Sequence, residues 1–399
     1  MMSNGKKGIK IKKSICVLAL ILLTGCKANN NNSNADDTLA TKEKTYVDVD
    51  KKTKEIKKTR LDTKVFGYSG DTRDYMAGNS RTYSAFDDRY FYCFHTIIED
   101  EVTHYGRSVN SRVDLKNGRV SSICNIAGCA HADEKNGCLD FFNYGPVLCI
   151  GEGMYFLTGN KLMCQKGDST ETLYENTYRS ELQKELFPDA GDMLSLFFMH
   201  GDKLYIGAID YLIEYDLATG KASDPFIISD RNIYACCTDG KVIYYCTDTS
   251  ELYAYDISMG KKQKLQDNVT RCSLHDGELY YIRFEDGVPF LYAYTEGKPE
   301  LILENCYITY CRNGEYIYYQ HYAGDRDIFM YDTKEKKSTK LLIDYTKLDQ
   351  KKASRHENSK LYDFMTADFL DSVFLVDDTG TVFVFKAGST EYKAIDLTR

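Results

Sequence analysis

The segment Asp239-Gly240-Lys241-Val242-Ile243-Tyr244-Tyr245 decides the fold, because versions of it recur along the chain. The same order of a polar residue, a glycine and then aromatic and β-branched residues is found at His200, Asp276 and Asn313. Successive glycines of these copies lie 39, 37 and 37 residues apart. Because glycine accepts a positive φ, each copy predicts a tight hairpin between two strands.

Further strand-like runs accompany these hairpins. Each hairpin is followed by a run that ends in tyrosine, and in most copies an aspartate comes directly after this tyrosine. The four runs lie at residues 212–216, 252–256, 291–294 and 328–332. Glycine turns at Gly220, Gly260 and Gly297 then lead to a fourth strand. Three weaker copies of the pattern lie at residues 88–95 with 113–115, 152–156 with 162–164, and 373–375 with 382–385.

The copies amount to seven units of four short strands within residues 80–399. Neighbouring tyrosines such as Tyr244 and Tyr245 point to opposite faces of a strand, so both faces of the sheet need apolar cover. A sheet wedged between two others in a ring has that cover. We therefore predict an all-β fold, a β-propeller of seven four-stranded blades, with six or eight blades as alternatives. Residues 180–187 predict a short surface helix, and 351–360 a charged loop.

One copy carries a resemblance to a known family. Tyr245-Cys246-Thr247-Asp248, followed by residues 252–256, resembles the YWTD-type propeller of low-density-lipoprotein-receptor-like domains, with Cys246 in the place of tryptophan. The whole chain resembles lipoproteins of anaerobic Gram-positive bacteria that carry such a domain of unknown function. The resemblance covers about residues 80–399 and implies the fold, but it implies no single activity.

The N-terminal segment has the features of an export signal. Five lysines precede an apolar run at residues 15–23, which is too short to span a bilayer as a mature helix. Leu23-Thr24-Gly25-Cys26 then resembles the lipobox of bacterial lipoproteins. This implies a signal peptide at residues 1–25, lipid attached to Cys26, and a place on the extracytoplasmic face of the cell membrane. An ordinary secretory signal with an incidental cysteine is the alternative.

Charge and composition limit the partners. The formal net charge of −8 would become −13 once the five lysines of residues 1–25 are removed. A surface this acidic argues against nucleic acid as a partner. Residues 26–60 are rich in Asn, Asp, Lys and Thr and offer little apolar surface, so we predict a flexible tether there.

One local cluster of residues could bind a metal. Cys124, Cys129, His131 and Cys138 lie within 15 residues, in the loop 124–138 between the first and second units. Three thiolates and an imidazole match the ligands of a closed structural zinc site, which would staple a loop and leave no position for water. A disulfide between two of the cysteines, or free thiols, are the alternatives. The lipoproteins that the chain resembles carry a similar Cys-Cys-His-Cys pattern.

The remaining cysteines and tyrosines predict core packing. Cys93, Cys149, Cys164, Cys246 and Cys272 each stand alone within an apolar strand-like run, where a thiol packs as a small hydrophobe. The 33 tyrosines fit blade cores at strand spacing, and a stacking platform for sugars is the alternative. The sequence has no Gly-x-Ser-x-Gly elbow, phosphate-binding loop or His-Glu-x-x-His motif.

These observations favour a non-enzymatic function. We expect a membrane-anchored propeller that acts as a non-catalytic binding or interaction module, with an unidentified protein or glycan as its partner. An extracellular enzyme, such as a glycan lyase or hydrolase with its site in the propeller funnel, is one alternative. A purely structural surface lipoprotein is the other.

Overall fold

The computed structural model describes residues 82–86, 89–100, 105–124, 129, 147–150, 153–167, 169–189, 191–275, 277–295, 297–322, 327–344, 362–366, 371–377 and 381–396. The predicted signal peptide, lipid attachment at Cys26, tether and charged loop lie outside these residues. So do His131 and Cys138 of the predicted zinc site.

The described strands form seven antiparallel sheets, each of which is one blade of a β-propeller. Blade 1 contains β1 (Thr82–Phe86), β2 (Tyr90–Asp100), β3 (Tyr105–Asp114) and β4 (Val120–Ser121), and blade 2 contains β5 (Val147–Ile150), β6 (Gly153–Thr158), β7 (Lys161–Lys166) and β8 (Ser169–Glu175). Blade 3 contains β9 (Leu196–His200), β10 (Lys203–Ala208), β11 (Tyr211–Asp216), β12 (Lys221–Ala222) and β13 (Phe226–Ile227). Blade 4 contains β14 (Ile233–Thr238), β15 (Val242–Thr247), β16 (Glu251–Asp256) and β17 (Lys261–Asp267).

Blade 5 contains β18 (Val269–His275), β19 (Glu278–Glu285), β20 (Val288–Thr295) and β21 (Lys298–Leu303). Blade 6 contains β22 (Cys306–Asn313), β23 (Tyr316–His321), β24 (Ile328–Asp332) and β25 (Lys337–Leu341). Blade 7 contains β26 (Tyr362–Thr366), β27 (Ser372–Asp377), β28 (Thr381–Lys386) and β29 (Tyr392–Asp396). The seven-bladed propeller predicted from the repeats is confirmed.

The described strands of each blade are consecutive in the chain, so the ring closes by packing and not by an exchanged strand. Blade 1 packs on blade 7 through one apolar cluster. At its centre the rings of Phe91 and Phe374 stack, with centroids 4.8 Å apart. Val113 and Val376 pack beside them.

The turns explain why aspartate ends several of the third strands. Asp216 and Asp256 each accept a hydrogen bond through Oδ1 from a turn amide, that of Thr219 at 2.7 Å and that of Met259 at 2.8 Å. Asp332 does the same for two amides of its own turn. The repeated aspartate therefore caps a backbone turn and has a structural role.

Blade 3 departs from the four-strand pattern at its outer edge. The two short strands β12 and β13 both pair with β11. Pro225 lies between them, and proline has no amide hydrogen to donate to a ladder. The outer strand is therefore split in two.

The predicted helix is confirmed as α1 (Glu181–Leu186), which lies between blades 2 and 3. Ser180 is its N-cap: the Ser180 hydroxyl accepts a hydrogen bond from the Gln183 amide at 3.0 Å and donates one to Asp210 Oδ1 at 2.6 Å. Burial raises the pKa of Asp210. The helix is thus attached to the turn between β10 and β11.

The blades have two ends, which define two faces of the ring. The upper face carries the turns between second and third strands and the connections between blades. The lower face carries the turns between first and second strands and between third and fourth strands. There Gly240, at φ 86°, lies against the ring of His200 in blade 3, and a Cβ atom at that position would come within 2.4 Å of the ring. Positive φ and close packing both require glycine here.

Candidate functional site

The first strand of blade 5, β18, has two chemically different sides. Cys272 and Leu274 belong to an apolar cluster shared with blade 4. Arg271, Ser273 and His275 alternate with them and contact Tyr310 of blade 6. The inner strand of one blade therefore separates an apolar gap from a polar one.

The apolar gap between blades 4 and 5 contains a cluster of three buried thiols, Cys237, Cys246 and Cys272, which we call the thiol cluster. Cys237 Sγ and Cys272 Sγ lie 4.0 Å apart, on the first strands of adjacent blades. Cys272 Sγ also lies 3.9 Å from the carbonyl oxygen of Ala235 and 3.8 Å from that of Tyr244. Cys246 and Cys272 are each buried within their own strand, as predicted, and the ring brings them together with Cys237.

Hydrogen bonding gives the two closest thiols different acidities. Thiol hydrogen bonds from Cys237 and Cys246 lower the pKa of Cys272. Burial raises the pKa of Cys237, and its bond to Cys272 raises it further. Cys272 is therefore the sulfur of this pair that more readily becomes a thiolate.

The polar gap between blades 5 and 6 contains what we call the polar column, formed by Arg271, Ser273 and His275 with Tyr310. The guanidinium of Arg271 lies 5.6 Å from the centroid of the Tyr310 ring. The Tyr310 hydroxyl lies 2.5 Å from Ser273 Oγ, which in turn lies 3.2 Å from His275 Nε2. The column thus runs along the inner strand as a chain of hydrogen bonds and ring contacts.

A charged group continues the column at the lower face. The ring of His275 meets the edge of Tyr280, with centroids 5.5 Å apart. Arg312 Nη1 donates a hydrogen bond to the Tyr280 hydroxyl at 2.5 Å and lies 3.4 Å from Glu278 Oε2. The Tyr280 hydroxyl also donates to that carboxylate, at 3.1 Å.

Ser273 and His275 combine a hydroxyl and an imidazole, as a nucleophile and a base would. However, Ser273 is only 3% exposed, and its hydroxyl is also bonded to Tyr310. A substrate has no approach to a hydroxyl that is held inside a packed gap. We therefore interpret the pair as part of the structure of the blade interface.

The upper face carries an aromatic patch over the same gap, formed by Phe284, Tyr307 and Tyr322. Tyr322 is 40% exposed. Its ring stacks beside that of Tyr307, with centroids 5.8 Å apart and planes at 19°, and meets Phe284 edge-on at 5.8 Å. By contrast, Tyr205, Tyr245 and Tyr281 are fully buried in blade cores, as predicted.

Backbone irregularities occur at the upper end of three successive inner strands. The register shifts between Ile233 and Ala235 in β14, between Val269 and Arg271 in β18, and between Cys306 and Tyr310 in β22. Bulges of this kind redirect side chains and are common near binding sites. The third bulge includes Tyr307 of the aromatic patch.

Two of the four predicted zinc ligands are described. Cys124 is buried, Cys129 is half-buried, and both pack on one cluster with Cys149, which β5 supplies. Within the described ranges, no group of three His, Cys, Asp or Glu residues has the geometry of a metal site, and no helix is long and apolar enough to cross a membrane. The zinc site with His131 and Cys138 stays a prediction.

Comparison with known proteins supports the fold. No protein-family model and no curated protein sequence matches the chain. The structure of PorZ, an essential bacterial surface component of the type-IX secretion system of Porphyromonas gingivalis, has a TM-score of 0.50 and 9% identity over 79% of this chain and 38% of that one.

Two similar structures are hydrolases by name. A puromycin-hydrolyzing peptidase of Mycobacterium tuberculosis has a TM-score of 0.55 and 11% identity over 84% of this chain and 54% of that one. A puromycin hydrolase variant complexed with PGG has a TM-score of 0.54 and 11% identity over 85% and 55%. This chain thus spans only part of each of the three proteins. Identities this low establish the fold alone. The fold is a β-propeller.

The contacts on both sides of β18 were not predicted from the sequence. Cys237 and Cys272 are 35 residues apart, and no local motif joins them. Ser273 and Tyr310 are 37 residues apart. The signal that could have found both is the repeat itself, because residues one repeat apart occupy equivalent strands of adjacent blades.

Proposed function

We propose that the chain is a lipid-anchored, extracytoplasmic β-propeller that binds a partner on its upper face without transforming it. The observation that carries this proposal is the aromatic patch. Tyr322 exposes 40% of its surface, although the chain buries most of its other described tyrosines wholly or partly. Tyrosine is typical of binding sites, because it combines a large apolar face with a polar tip.

The patch is held on rigid backbone. The Tyr322 amide donates a hydrogen bond to the carbonyl of Asn305 at 3.1 Å, and the Phe284 amide donates to that of Asn268 at 2.8 Å. Both asparagines have positive φ, at 53° and 61°, which asparagine tolerates better than most residues. A surface fixed before binding loses less conformational entropy on contact.

A glycan is the partner that we propose for the patch, and a protein is the alternative. Sugar rings and aromatic rings can stack face to face, and the tyrosine hydroxyls offer hydrogen bonds at the rim. The acidic net charge makes a polyanion a poor partner.

The test is binding of the purified protein to an array of neutral oligosaccharides. Tyr322→Ala should weaken binding at least about tenfold, since a central aromatic contact contributes about 2 kcal/mol or more. Met259→Ala, which removes another exposed apolar side chain from a lower-face turn, is the matched control and should bind as the native protein does. Equal binding by the native protein and Tyr322→Ala would count against this site, and shortened oligosaccharides would count against a non-catalytic function.

Lipid attachment has its own test. Cells that express the protein are fed an alkyne-labelled fatty acid, and the native protein is compared with Cys26→Ala. The native protein should carry the label and stay with the membrane fraction, whereas the variant should lack the label. Equal labelling of both would contradict attachment at Cys26.

The zinc proposal is tested by elemental analysis of the protein purified without oxygen. About one zinc per chain is expected for a closed site, and Cys129→Ser should lose it. A native protein without zinc, in which mass mapping finds a disulfide between two of the cysteines at 124, 129 and 138, would contradict the metal site.

A further inference from the structure

The thiol cluster places two sulfurs from adjacent blades in contact. Cys237 lies on β14 of blade 4 and Cys272 on β18 of blade 5, and each is at most 1% exposed. Their sulfurs, 4.0 Å apart, need to approach by about 2 Å to form a disulfide. The surrounding residues, among them Leu252 and Val269, are apolar.

We infer that Cys237 and Cys272 form a peroxide-reactive dithiol, which oxidation converts into a disulfide between blades 4 and 5. The geometry and the difference between the two thiols support this assignment together. Cys272 accepts the hydrogen bond of Cys237. It is the sulfur with the lowered pKa, and a thiolate is the form that attacks peroxide.

The reaction uses hydrogen peroxide as the oxidant. The Cys272 thiolate attacks one oxygen, the O–O bond breaks, and the departing hydroxide takes up a proton to become water, which leaves a sulfenic acid on Cys272. The Cys237 sulfur then attacks the Cys272 sulfur. The S–S bond forms, the S–O bond breaks, and the second water leaves with the proton of the Cys237 thiol. Two thiols are oxidised, and one peroxide is reduced to two waters.

Peroxide has to enter a closed gap, because both sulfurs are buried. Local opening of the blade interface gives a molecule this small a path to the sulfurs. Once formed, the disulfide would link positions 35 residues apart and would restrain the unfolded chain. Oxidation should therefore raise the Tm, and a reductant should reverse the rise.

Peptide mapping of the full protein tests the pairing. Protein kept reduced is exposed to hydrogen peroxide, unfolded, alkylated and cleaved with trypsin. Cleavage after Arg231 and Lys241 releases the peptide with Cys237, and cleavage after Arg271 releases the one with Cys272. The expected product joins these two peptides, has lost two hydrogens, and separates on reduction.

A matched pair of variants shows which sulfur of β14 forms the disulfide with Cys272. Cys236 neighbours Cys237 on β14, is equally buried and faces blade 3 instead. Cys236→Ala should still give the crosslink and the reversible rise in Tm, whereas Cys237→Ala should give neither. The inference is overturned if peroxide leaves both thiols alkylatable, if Cys272 pairs instead with the peptide of Cys246, or if Cys237→Ala keeps the crosslink. As a further control, the native protein is unfolded before peroxide is added, and it should then give less of the Cys237–Cys272 crosslink than the folded protein does. An equal yield of this crosslink from folded and unfolded protein would also overturn the inference.

Discussion

Between blades 4 and 5 the inner strands meet through thiols and aliphatic side chains, whereas between blades 5 and 6 they meet through Arg271, Ser273 and Tyr310. One strand, β18, supplies residues to both gaps. The apolar gap depends on packing, so lost volume should be costly there. The polar gap also contains an apolar cluster, but its inner strands meet through hydrogen bonds. The net contribution of such bonds is smaller, because the same groups bond to water when the chain unfolds. We therefore expect substitutions in the two gaps to have different costs.

The largest effect is expected in the apolar gap. Leu252 is fully buried in the cluster that contains the thiols. Leu252→Ala should lower the free energy of unfolding by about 2–5 kcal/mol, because it removes buried methyl groups and leaves a cavity. Urea denaturation measures this, with Leu342→Ala, at a side chain that is 71% exposed, as the control. The control should change stability by at most about 0.5 kcal/mol. An equal loss of unfolding free energy in Leu252→Ala and Leu342→Ala would contradict tight packing between blades 4 and 5.

A smaller effect is expected in the polar gap. Tyr310→Phe keeps the ring and removes the hydroxyl that bonds to Ser273. The cost should be about 1–3 kcal/mol, because a buried hydroxyl loses a partner. Ser273→Ala should cost less in the Tyr310→Phe background than in the native protein, since the bond to Tyr310 is already lost there and only the bond to His275 remains. Strictly additive costs in urea denaturation would show that the two hydroxyls are not coupled.

The pH dependence of stability distinguishes the gaps further. His321 stacks on Phe329, with centroids 4.2 Å apart, and Phe329 packs against the apolar cluster between blades 5 and 6. Burial lowers the pKa of His321 from 6.5; Asp327 opposes this, and Lys340 adds to it. At a pH between the His321 pKa of the folded protein and that of the unfolded chain, the unfolded chain binds more protons than the folded protein does. The contribution of His321 to stability is therefore present above the unfolded pKa and is lost as the pH falls through the folded pKa.

His321→Phe should remove this dependence. The free energy of unfolding of the native protein should fall between about pH 7 and pH 5 more steeply than that of the variant. Thermal unfolding over this range, for both proteins in the same buffers, is the measurement. Parallel curves would mean that His321 contributes nothing to the acid sensitivity of the protein.

The sequence predicts the blades because their signals are local. A glycine at Gly201, Gly240, Gly277 or Gly314 and an aspartate at the end of a third strand each specify a turn through bonds within a few residues. The repeat spacing then gives the number of blades. Pro225 likewise gives a local reason for the split outer strand of blade 3.

The two gaps are harder to predict because they depend on which side of β18 faces which neighbour. Side chains in a regular strand alternate between the two faces, but the bulge between Val269 and Arg271 interrupts this alternation. The face assigned to a residue at one end of β18 therefore does not give the face of a residue at the other end. Cys124 and Cys129 are likewise close in sequence, but Cys149 joins them only through the packing of β5. Contacts across blades come from the ring and not from local spacing.

The closed ring is the central claim, and a double-mutant cycle at Phe91 and Phe374 tests it most directly. These rings stack at 4.8 Å, although one lies near the first described strand and the other near the last. The two alanine substitutions should be non-additive in the free energy of unfolding, with a coupling energy of about 0.5–1.5 kcal/mol. Phe91 and Phe198, which lie in separate clusters, should be additive as a control. A coupling of zero between Phe91 and Phe374 would mean that blades 1 and 7 do not meet, and it would contradict the closed propeller.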